Sequence, residues 1–323
     1  MENDELLKMV EEKAKQWLAP IYDDETRKEV RRMLENSDKT ELIDSFYKDL
    51  EFGTGGLRGI MGAGTNRMNI YTVGAATQGL SNYLKRNFVD LPEIRVAIGH
   101  DCRNNSRLFA ESSAGIFAAN GIKALLFEDL RPTPEMSFAI REYGCQSGII
   151  ITASHNPKEY NGYKVYDNTG CQILYPADEE IVKYYNNIYE IEKCRIEEYE
   201  RLLNSRNIQF IDDSLVDDFV ESSINYDNNK KNYSFSNLKV AFTSVHGTGI
   251  TPFKKIASRL NFEVFYPEKQ ILQDENFPTV KSPDPENKEC LKEVIDKGIK
   301  NNADIIIATD PDADRVRFGF RNS

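Results

Sequence analysis

Two short apolar runs, each followed at once by a polar loop, limit what this chain can fold into. Residues 148–151 read Gly-Ile-Ile-Ile and lead into Thr-Ala-Ser-His-Asn-Pro, whereas residues 304–309 lead into Asp-Pro-Asp-Ala-Asp-Arg. Continuous apolar runs of this length are typical of strands buried on both faces of a sheet. In open α/β sheets the functional loops lie at the carboxyl ends of such strands. The sequence therefore predicts an α/β fold with chemistry at two strand ends.

Strand and helix patterns alternate along most of the chain, and their order occurs twice. The first set comprises strands at 94–99, 123–128 and 148–152, with helices from Ser106 to Gly121 and from Thr133. The second set comprises strands at 238–242, 262–266 and 304–309, with helices at 252–260 and 286–301. In this alignment the loops that follow residues 152 and 309 are equivalent. Element order alone therefore predicts a duplicated unit.

The first 50 residues have a different pattern, in which apolar residues recur at helical spacing. Helices are predicted from Leu6 to before Pro20, at 25–35 and at 41–50. The predicted fold class is α/β, with two similar α/β/α domains that have mixed, mostly parallel sheets, preceded by this N-terminal helical arm. The predicted boundaries are 1–50 for the arm, 51–207 for the first domain and 208–323 for the second. An Asn- and Lys-rich stretch at 225–232 is expected to be an exposed loop.

Composition excludes several classes of function. The net charge of -11 argues against a nucleic-acid partner, since the basic residues form no long stripe. The acidic start and the absence of an apolar run of roughly 18 residues predict no membrane partner and a cytoplasmic location. The five cysteines contain no C-x-x-C pair, which indicates reduced thiols and neither a disulfide framework nor a zinc site.

Ser154 is the candidate nucleophile. Pro157 fixes the turn, Asn156 tolerates unusual backbone angles, and His155 places a ring nitrogen beside the hydroxyl. A serine after a strand can equally cap the next helix. The whole hexapeptide favours an exposed, oriented nucleophile.

Asp310, Asp312 and Asp314 are the candidate metal ligands. Three carboxylates at alternate positions would repel one another unless a cation lies between them. A calcium EF-hand is excluded, because arginine stands at the sixth and twelfth positions, where glycine and glutamate are required. The remaining alternative is a solvated acidic turn.

Three further segments carry weaker signals. The glycine-rich segment 52–62 contains Arg58 and could bind an anionic sugar phosphate, or form only a flexible hairpin. Lys164 follows the serine loop, where it could transfer a proton or remain a solvated charge. The segment His246-Gly247-Thr248-Gly249 indicates a tight turn between a strand and a helix.

Together these motifs resemble one family. The resemblance is carried by Gly56-Leu57-Arg58-Gly59, Gly99-His100-Asp101-x-Arg103-x-x-Ser106, residues 152–157, Asn161-Gly162-Tyr163-Lys164 and residues 310–315. Their order is similar to that in the α-D-phosphohexomutases, a superfamily that includes phosphoglucomutase and phosphomannomutase. Residues 52–59, 131–135 and 246–249 are most similar to the branch that also holds phosphopentomutases.

The resemblance implies a role for each candidate residue. Ser154 would carry phosphate, with His155 beside it, and one phosphoserine oxygen would join Asp310, Asp312 and Asp314 in binding Mg²⁺. Arg58, Arg103 and Arg315 would bind the phosphosugar substrate. Arg58 and Lys164 would transfer protons. Phosphate would move between the 1- and 6-hydroxyls of a hexose through a bisphosphorylated intermediate, with a glucose 1,6-bisphosphate-type activator.

The chain length departs from that family, whose members have four domains. The resemblance spans nearly the whole chain but corresponds only to the N-terminal portion of the family's members. We therefore expect a fragment that is incomplete at the end of its second domain and inactive alone. The choice among glucose, mannose and ribose phosphates and the oligomeric state are left open. The alternatives are a phosphopentomutase, a haloacid dehalogenase-type phosphatase suggested by the apolar run before Asp310-x-Asp312, and a non-catalytic protein that binds metal or sugar phosphate.

Overall fold

The N-terminal helices form a separate cluster on the first domain. The computed structural model describes residues 2–53, 55–186, 201–203, 207–226 and 234–321. Its first helices are α1 (Glu2–Gln16), α2 (Asp24–Glu35) and α3 (Thr40–Phe46). Trp17 packs edge-on against Phe46 and Tyr71, and the Tyr71 hydroxyl donates to Asp23, which caps α2. The predicted helical arm is therefore present, although its last helix ends at Phe46 and does not reach residue 50.

The first sheet is mixed and mostly parallel. Its strands are β1 (Gly56–Ile60), β2 (Arg95–His100), β3 (Lys123–Phe127), β4 (Ser147–Ile151), β5 (Tyr160–Asp167) and β6 (Ile208–Ile211). They lie in the order β1-β5-β4-β2-β3-β6. β2, β3, β4 and β6 are parallel to one another. β5 is antiparallel to both of its neighbours, β4 and the edge strand β1.

Helices cover both faces of this sheet. They are α4 (Ile70–Asn87), α5 (Ser106–Ala119), α6 (Thr133–Glu142), α7 (Ala177–Asn186) and α8 (Ser214–Asn225). On one face, Val96 and Ile98 of β2 join a core with residues of α4, α5 and α7. On the other face, Ala97 joins a core with residues of α6 and α8. The alternation of side chains along a strand thus produces the α/β/α layers.

The second sheet repeats this arrangement. Its elements are β7 (Lys239–Thr243), α9 (Ile250–Leu260), β8 (Glu263–Phe265), α10 (Lys292–Lys300), β9 (Ile305–Thr309) and β10 (Val316–Phe320), and the strand order is β10-β9-β7-β8. Phe242 of β7 stacks on Phe253 of α9 with ring centroids 3.7 Å apart. Gly298 of α10 lies against Ile306, where an added Cβ would come within 3.0 Å. The two helices therefore cover opposite faces of the sheet.

The order β5-β4-β2-β3 in the first sheet has the same pattern of parallel and antiparallel pairs as β10-β9-β7-β8 in the second. The serine loop follows β4, and the aspartate loop follows β9. The prediction of two similar units with equivalent active loops is confirmed.

Several predicted elements differ from the structure. The helix predicted at 286–301 begins only at Lys292, because Asp284 and Asn287 accept bonds from backbone amides two residues ahead and so form turns. The helix predicted from Ser106 begins there, with Asn105 at the N-cap position, and the Ser106 hydroxyl donates to Asp101. Helix α4 was not predicted, although Asn69 and Thr72 form its capping box. Its buried residues lie on several faces and hide the helical period.

The predicted boundary after residue 207 falls just before β6. β6 pairs with β3 of the first sheet, so the first unit extends at least to Ile211. Most of the predicted exposed loop at 225–232, and Cys194, lie outside the described residues. Among the described helices, none has both the length and the apolar character that crossing a bilayer requires.

Gly162 tests the packing that brings β5 beside the serine loop. A Cβ at Gly162 would lie 2.5 Å from the Thr152 carbonyl oxygen. We expect Gly162→Ala to destabilise the fold by about 1–3 kcal/mol, as overpacking does, which urea denaturation would measure. Gly319→Ala on β10 is the matched control, because its added Cβ would meet only an ordinary contact at 3.7 Å. Equal midpoints for the two variants would contradict this packing.

Candidate functional site

Ser154 lies in a strained turn directly after β4. Its backbone φ is 54°, in the left-handed region, and its amide donates to the Thr152 hydroxyl at 2.9 Å. The Ser154 hydroxyl is buried and donates to Asp310 Oδ2 at 2.5 Å. His155 Nδ1 lies 3.2 Å from the same hydroxyl. The turn therefore aims the serine at the loop that follows β9.

Arg103 holds this turn from behind. Its guanidinium donates to the carbonyl oxygens of Ser154, Asn156, Pro157 and Tyr160, at 2.6–3.1 Å. Its side chain is fully buried and also forms an ion pair with Asp101. In this arrangement these contacts occupy the terminal nitrogens of Arg103 and leave none of its side chain exposed, so its predicted role in substrate binding stays a prediction.

The aspartate loop is held in a corresponding way by the loop that follows β7. The backbone amide and the hydroxyl of Thr248 both donate to the Pro311 carbonyl at 2.8 Å. Gly247 packs so closely on Pro311 that a Cβ would lie 2.2 Å from its Cα. The segment 246–249 is thus the support of the aspartate loop, which sequence patterns do not indicate beyond a tight turn.

Lys164 connects β5 of the first domain to the aspartate loop. It lies on β5, nearly buried, and its Nζ donates to Asp312 Oδ2 at 2.6 Å and to Asp314 Oδ2 at 2.7 Å. Burial alone would lower the pKa of Lys164, but the two carboxylates outweigh it and raise the pKa above its ordinary value. The lysine is therefore charged at neutral pH in this arrangement.

The three aspartates form the kind of donor set that suits a hard divalent cation. One carboxylate oxygen from each lies within 4.8 Å of the others. Asp312 Oδ1 is buried and has no hydrogen-bond partner, which is costly for a carboxylate oxygen unless a cation contacts it. These residues fit a bound metal ion.

The pKa values of Asp310 and Asp312 are shifted in opposite directions. Burial, followed by the charges of Asp312 and Asp314, raises the pKa of Asp310. Burial opposes ionisation of Asp312 as well, but Lys164 outweighs it and the pKa of Asp312 is lowered. Without a cation, a proton is therefore favoured on Asp310 and a charge on Asp312.

The other predicted residues surround this centre. Arg58 is exposed on β1 and donates to Asn156 Oδ1 at 3.2 Å, beside the serine turn. Arg315 is half exposed, with Glu286 at 3.4 Å. Burial and the charges of Arg315 and Arg58 lower the pKa of His155. Arg58 also lines a cavity of about 620 Å³ with Lys164, Lys48 and Arg67.

The start of α6 is a contributor that the sequence patterns do not assign to the site. Thr133 contacts Asp312 with both its amide and its hydroxyl. Two residues later, Glu135 is fully buried with neither carboxylate oxygen hydrogen-bonded, 3.2 Å from the Arg131 guanidinium. Arg131 also pairs with Asp213 at 2.6 Å. In the sequence, the motif Arg131-Pro132-Thr133-Pro134-Glu135 is the feature that could have assigned the start of α6 to the site.

Family models match both halves of the chain. Residues 49–192 match phosphoglucomutase/phosphomannomutase α/β/α domain I, and residues 213–322 match α/β/α domain II of the same family. The fold is thus that of phosphoglucomutase/phosphomannomutase domains I and II. The chain belongs to the α-D-phosphohexomutase superfamily, as its motifs predict.

Similar proteins include the phosphoglucomutase of Staphylococcus haemolyticus strain JCSC1435, 37% identical over 86% of this chain and 50% of the relative. The probable phosphoribomutase of Schizosaccharomyces pombe is 35% identical over 96% of this chain and 53% of the relative. A solved structure from Thermus thermophilus, provisionally described as a phosphomannomutase, has a TM-score of 0.69 and 25% identity, over 84% of this chain and 57% of that one. The chain spans about half the length of the curated relatives it matches.

Ionisation of Glu135 is expected to make the stability of the fold depend on pH. Burial raises the pKa of Glu135 from 4.5 to about 7, whereas Arg131 opposes the shift. Its favoured neutral form stabilises the fold below pH 4.5, and this contribution is lost as the pH rises through about 7. Glu135→Gln cannot ionise, so its Tm relative to the unchanged chain should rise between about pH 5 and pH 8. Thermal denaturation across this range would measure the difference.

Glu142→Gln is the control, because Glu142 lies exposed on the same helix. A Tm difference for Glu135→Gln that stayed constant with pH would contradict the raised pKa of Glu135.

Proposed function

We propose that this chain is the N-terminal half of a phosphosugar mutase that moves phosphate between the 1- and 6-hydroxyls of a hexose phosphate. The observation that carries the proposal is the 2.5 Å contact between Ser154 Oγ and Asp310 Oδ2, which joins loops from two domains. A nucleophilic hydroxyl beside a cluster of three carboxylates suits phosphoryl transfer. The phosphoglucomutase relatives support the same reaction class.

In the proposed reaction, phosphoserine at position 154 donates its phosphoryl group to the free hydroxyl of the sugar phosphate. The bond between Ser154 Oγ and phosphorus breaks and a bond from phosphorus to the sugar oxygen forms. The sugar hydroxyl gives its proton to a base, and the departing Ser154 Oγ takes up a proton, which restores the serine hydroxyl. The bisphosphorylated sugar turns over, and its other phosphate returns to Ser154. Reorientation explains how one serine serves both hydroxyls.

Each remaining residue has a proposed part in this cycle. Lys164 and Arg58 are the proton-transfer candidates. Lys164 is protonated beside Asp312 and Asp314, so in this arrangement it suits the donation of a proton to a departing oxygen. Arg58 and Arg315 bind the transferring phosphate, since their exposed guanidinium groups suit bidentate contacts with oxygen. His155 orients the serine hydroxyl.

Asp310, Asp312 and Asp314, with a phosphoserine oxygen, are the proposed ligands of Mg²⁺. When bound, the ion would neutralise charge on the phosphate oxygens. A hard ion with oxygen ligands agrees with the all-carboxylate set and with the free buried oxygen of Asp312. A glucose 1,6-bisphosphate-type activator would phosphorylate Ser154 at the start of the cycle.

A pentose phosphate is the second candidate substrate. The similarity to the probable phosphoribomutase of Schizosaccharomyces pombe extends over 96% of the chain and supports this candidate. The haloacid dehalogenase interpretation is replaced, because the family models place the serine loop and the aspartate loop in mutase domains I and II. The cytoplasmic location stays a prediction.

Ser154 is expected to be the residue that is phosphorylated. Treatment of the chain with glucose 1,6-bisphosphate and Mg²⁺ should add one phosphate, which intact-mass and peptide analysis would locate on the peptide that contains Ser154. Ser154→Ala should remain unmodified. Phosphate on Asp310 or Asp312, recognised by its loss to hydroxylamine, would overturn the assignment.

Asp312 is expected to be required for metal binding. Asp312→Asn removes one of three ligand charges and should weaken Mg²⁺ binding by about tenfold or more in isothermal titration calorimetry. It should also abolish phosphoryl transfer in the complete enzyme. Asp296→Asn, at an exposed carboxylate on α10, is the control and should bind Mg²⁺ normally. If Asp312→Asn bound equally well, the aspartate loop would be a solvated turn.

A further inference from the structure

The Asp312 carboxylate uses only one of its two oxygens for hydrogen bonds with the first domain. Oδ2 accepts from Lys164 Nζ at 2.6 Å and from the Thr133 hydroxyl at 3.1 Å. Oδ1 is buried without a hydrogen-bond partner. Both donors belong to the first domain, whereas Asp312 belongs to the second. The orientation of this carboxylate is therefore decided across the interface between the domains.

Thr133 contacts Asp312 at two points. Its backbone amide donates to the Asp312 carbonyl at 2.8 Å, and its hydroxyl reaches the Asp312 side chain. Two such contacts hold the backbone and the side chain of one residue together. Thr133 is buried at the first position of α6, between two prolines that restrict the local backbone.

We propose that Thr133 is a positioning residue for the metal site, which holds Asp312 Oδ2 so that Oδ1 is left for the cation. The inference rests on the proposed metal site. Hydrogen-bond donors behind a ligating carboxylate restrict its rotation, and their removal typically weakens metal affinity by about 10–100-fold. Lys164 places a positive charge beside the same oxygen. Thr133 donates a hydrogen bond to it from a backbone position that is fixed by the start of α6.

The test is the Mg²⁺ affinity of the 323-residue chain, measured by isothermal titration calorimetry. Thr133→Val keeps the side-chain shape and the backbone contact but removes the hydroxyl, so its Kd should rise by about 10–100-fold. Thr133→Ser restores the hydroxyl and should bind Mg²⁺ close to the level of the unchanged chain. A role in packing alone would not be rescued by serine in this way.

Thr77→Val is the matched control, because Thr77 is another buried threonine whose hydroxyl bonds to Val73 and Ser113, within the first domain. It should leave the Kd unchanged. Circular dichroism and Tm establish that each variant is folded, and Thr133→Ala replaces Thr133→Val if the latter is unfolded.

Equal Mg²⁺ affinity in the unchanged chain and in folded Thr133→Val would overturn the inference while leaving the metal site intact. Equally weak binding by Thr133→Ser and Thr133→Val would also overturn it, since the hydroxyl would then be irrelevant. Absence of Mg²⁺ binding by the unchanged chain would instead refute the proposed metal site, and the inference with it.

Discussion

The buried contacts of Lys164 with Asp312 and Asp314 are the interaction on which the site depends. They join residues 148 and 150 positions apart in the sequence, from two sheets. Removing one partner of a buried ion pair such as Lys164–Asp312 typically costs about 3–5 kcal/mol, because the other charge is left uncompensated. The same contacts bring the end of β9 to the end of β4. The distance from Ser154 to Asp310 therefore follows from how the domains dock.

In each domain a neighbouring loop holds the active loop in place. This supporting loop lies between β2 and α5 in the first domain and between β7 and α9 in the second. Arg103 holds the serine turn by four carbonyl oxygens, and Thr248 holds the aspartate loop at Pro311. Ser154 and Ala313 both adopt left-handed backbone angles, which for a non-glycine residue cost about 1–3 kcal/mol. Such strain persists only where the surroundings hold it in place. The repeated topology thus supplies an equivalent support on each side of the site.

Sequence patterns identified the strands that end at Ser154 and Asp310, because continuous isoleucine runs are distinctive. They did not identify α4, whose buried residues lie on several faces and blur the helical period. The resemblance to the family implies that Arg103 binds substrate, whereas the structure shows it donating to backbone carbonyl oxygens. An arginine in a polar motif looks the same whether it binds a ligand or backbone carbonyls, and only its burial and its partners distinguish the two.

The sequence by itself determined the α/β class, the duplicated order of elements and the two loops that carry the candidate nucleophile and metal ligands. These features depend on local periodicity and on residue type at short spacing. Only the tertiary structure decided that Lys164 pairs with Asp312 and Asp314, that Thr133 contacts Asp312, and that Arg103 donates to the backbone of the serine turn. These contacts join residues from separate elements, so their partners follow from the packing of sheets and domains, which no local pattern encodes.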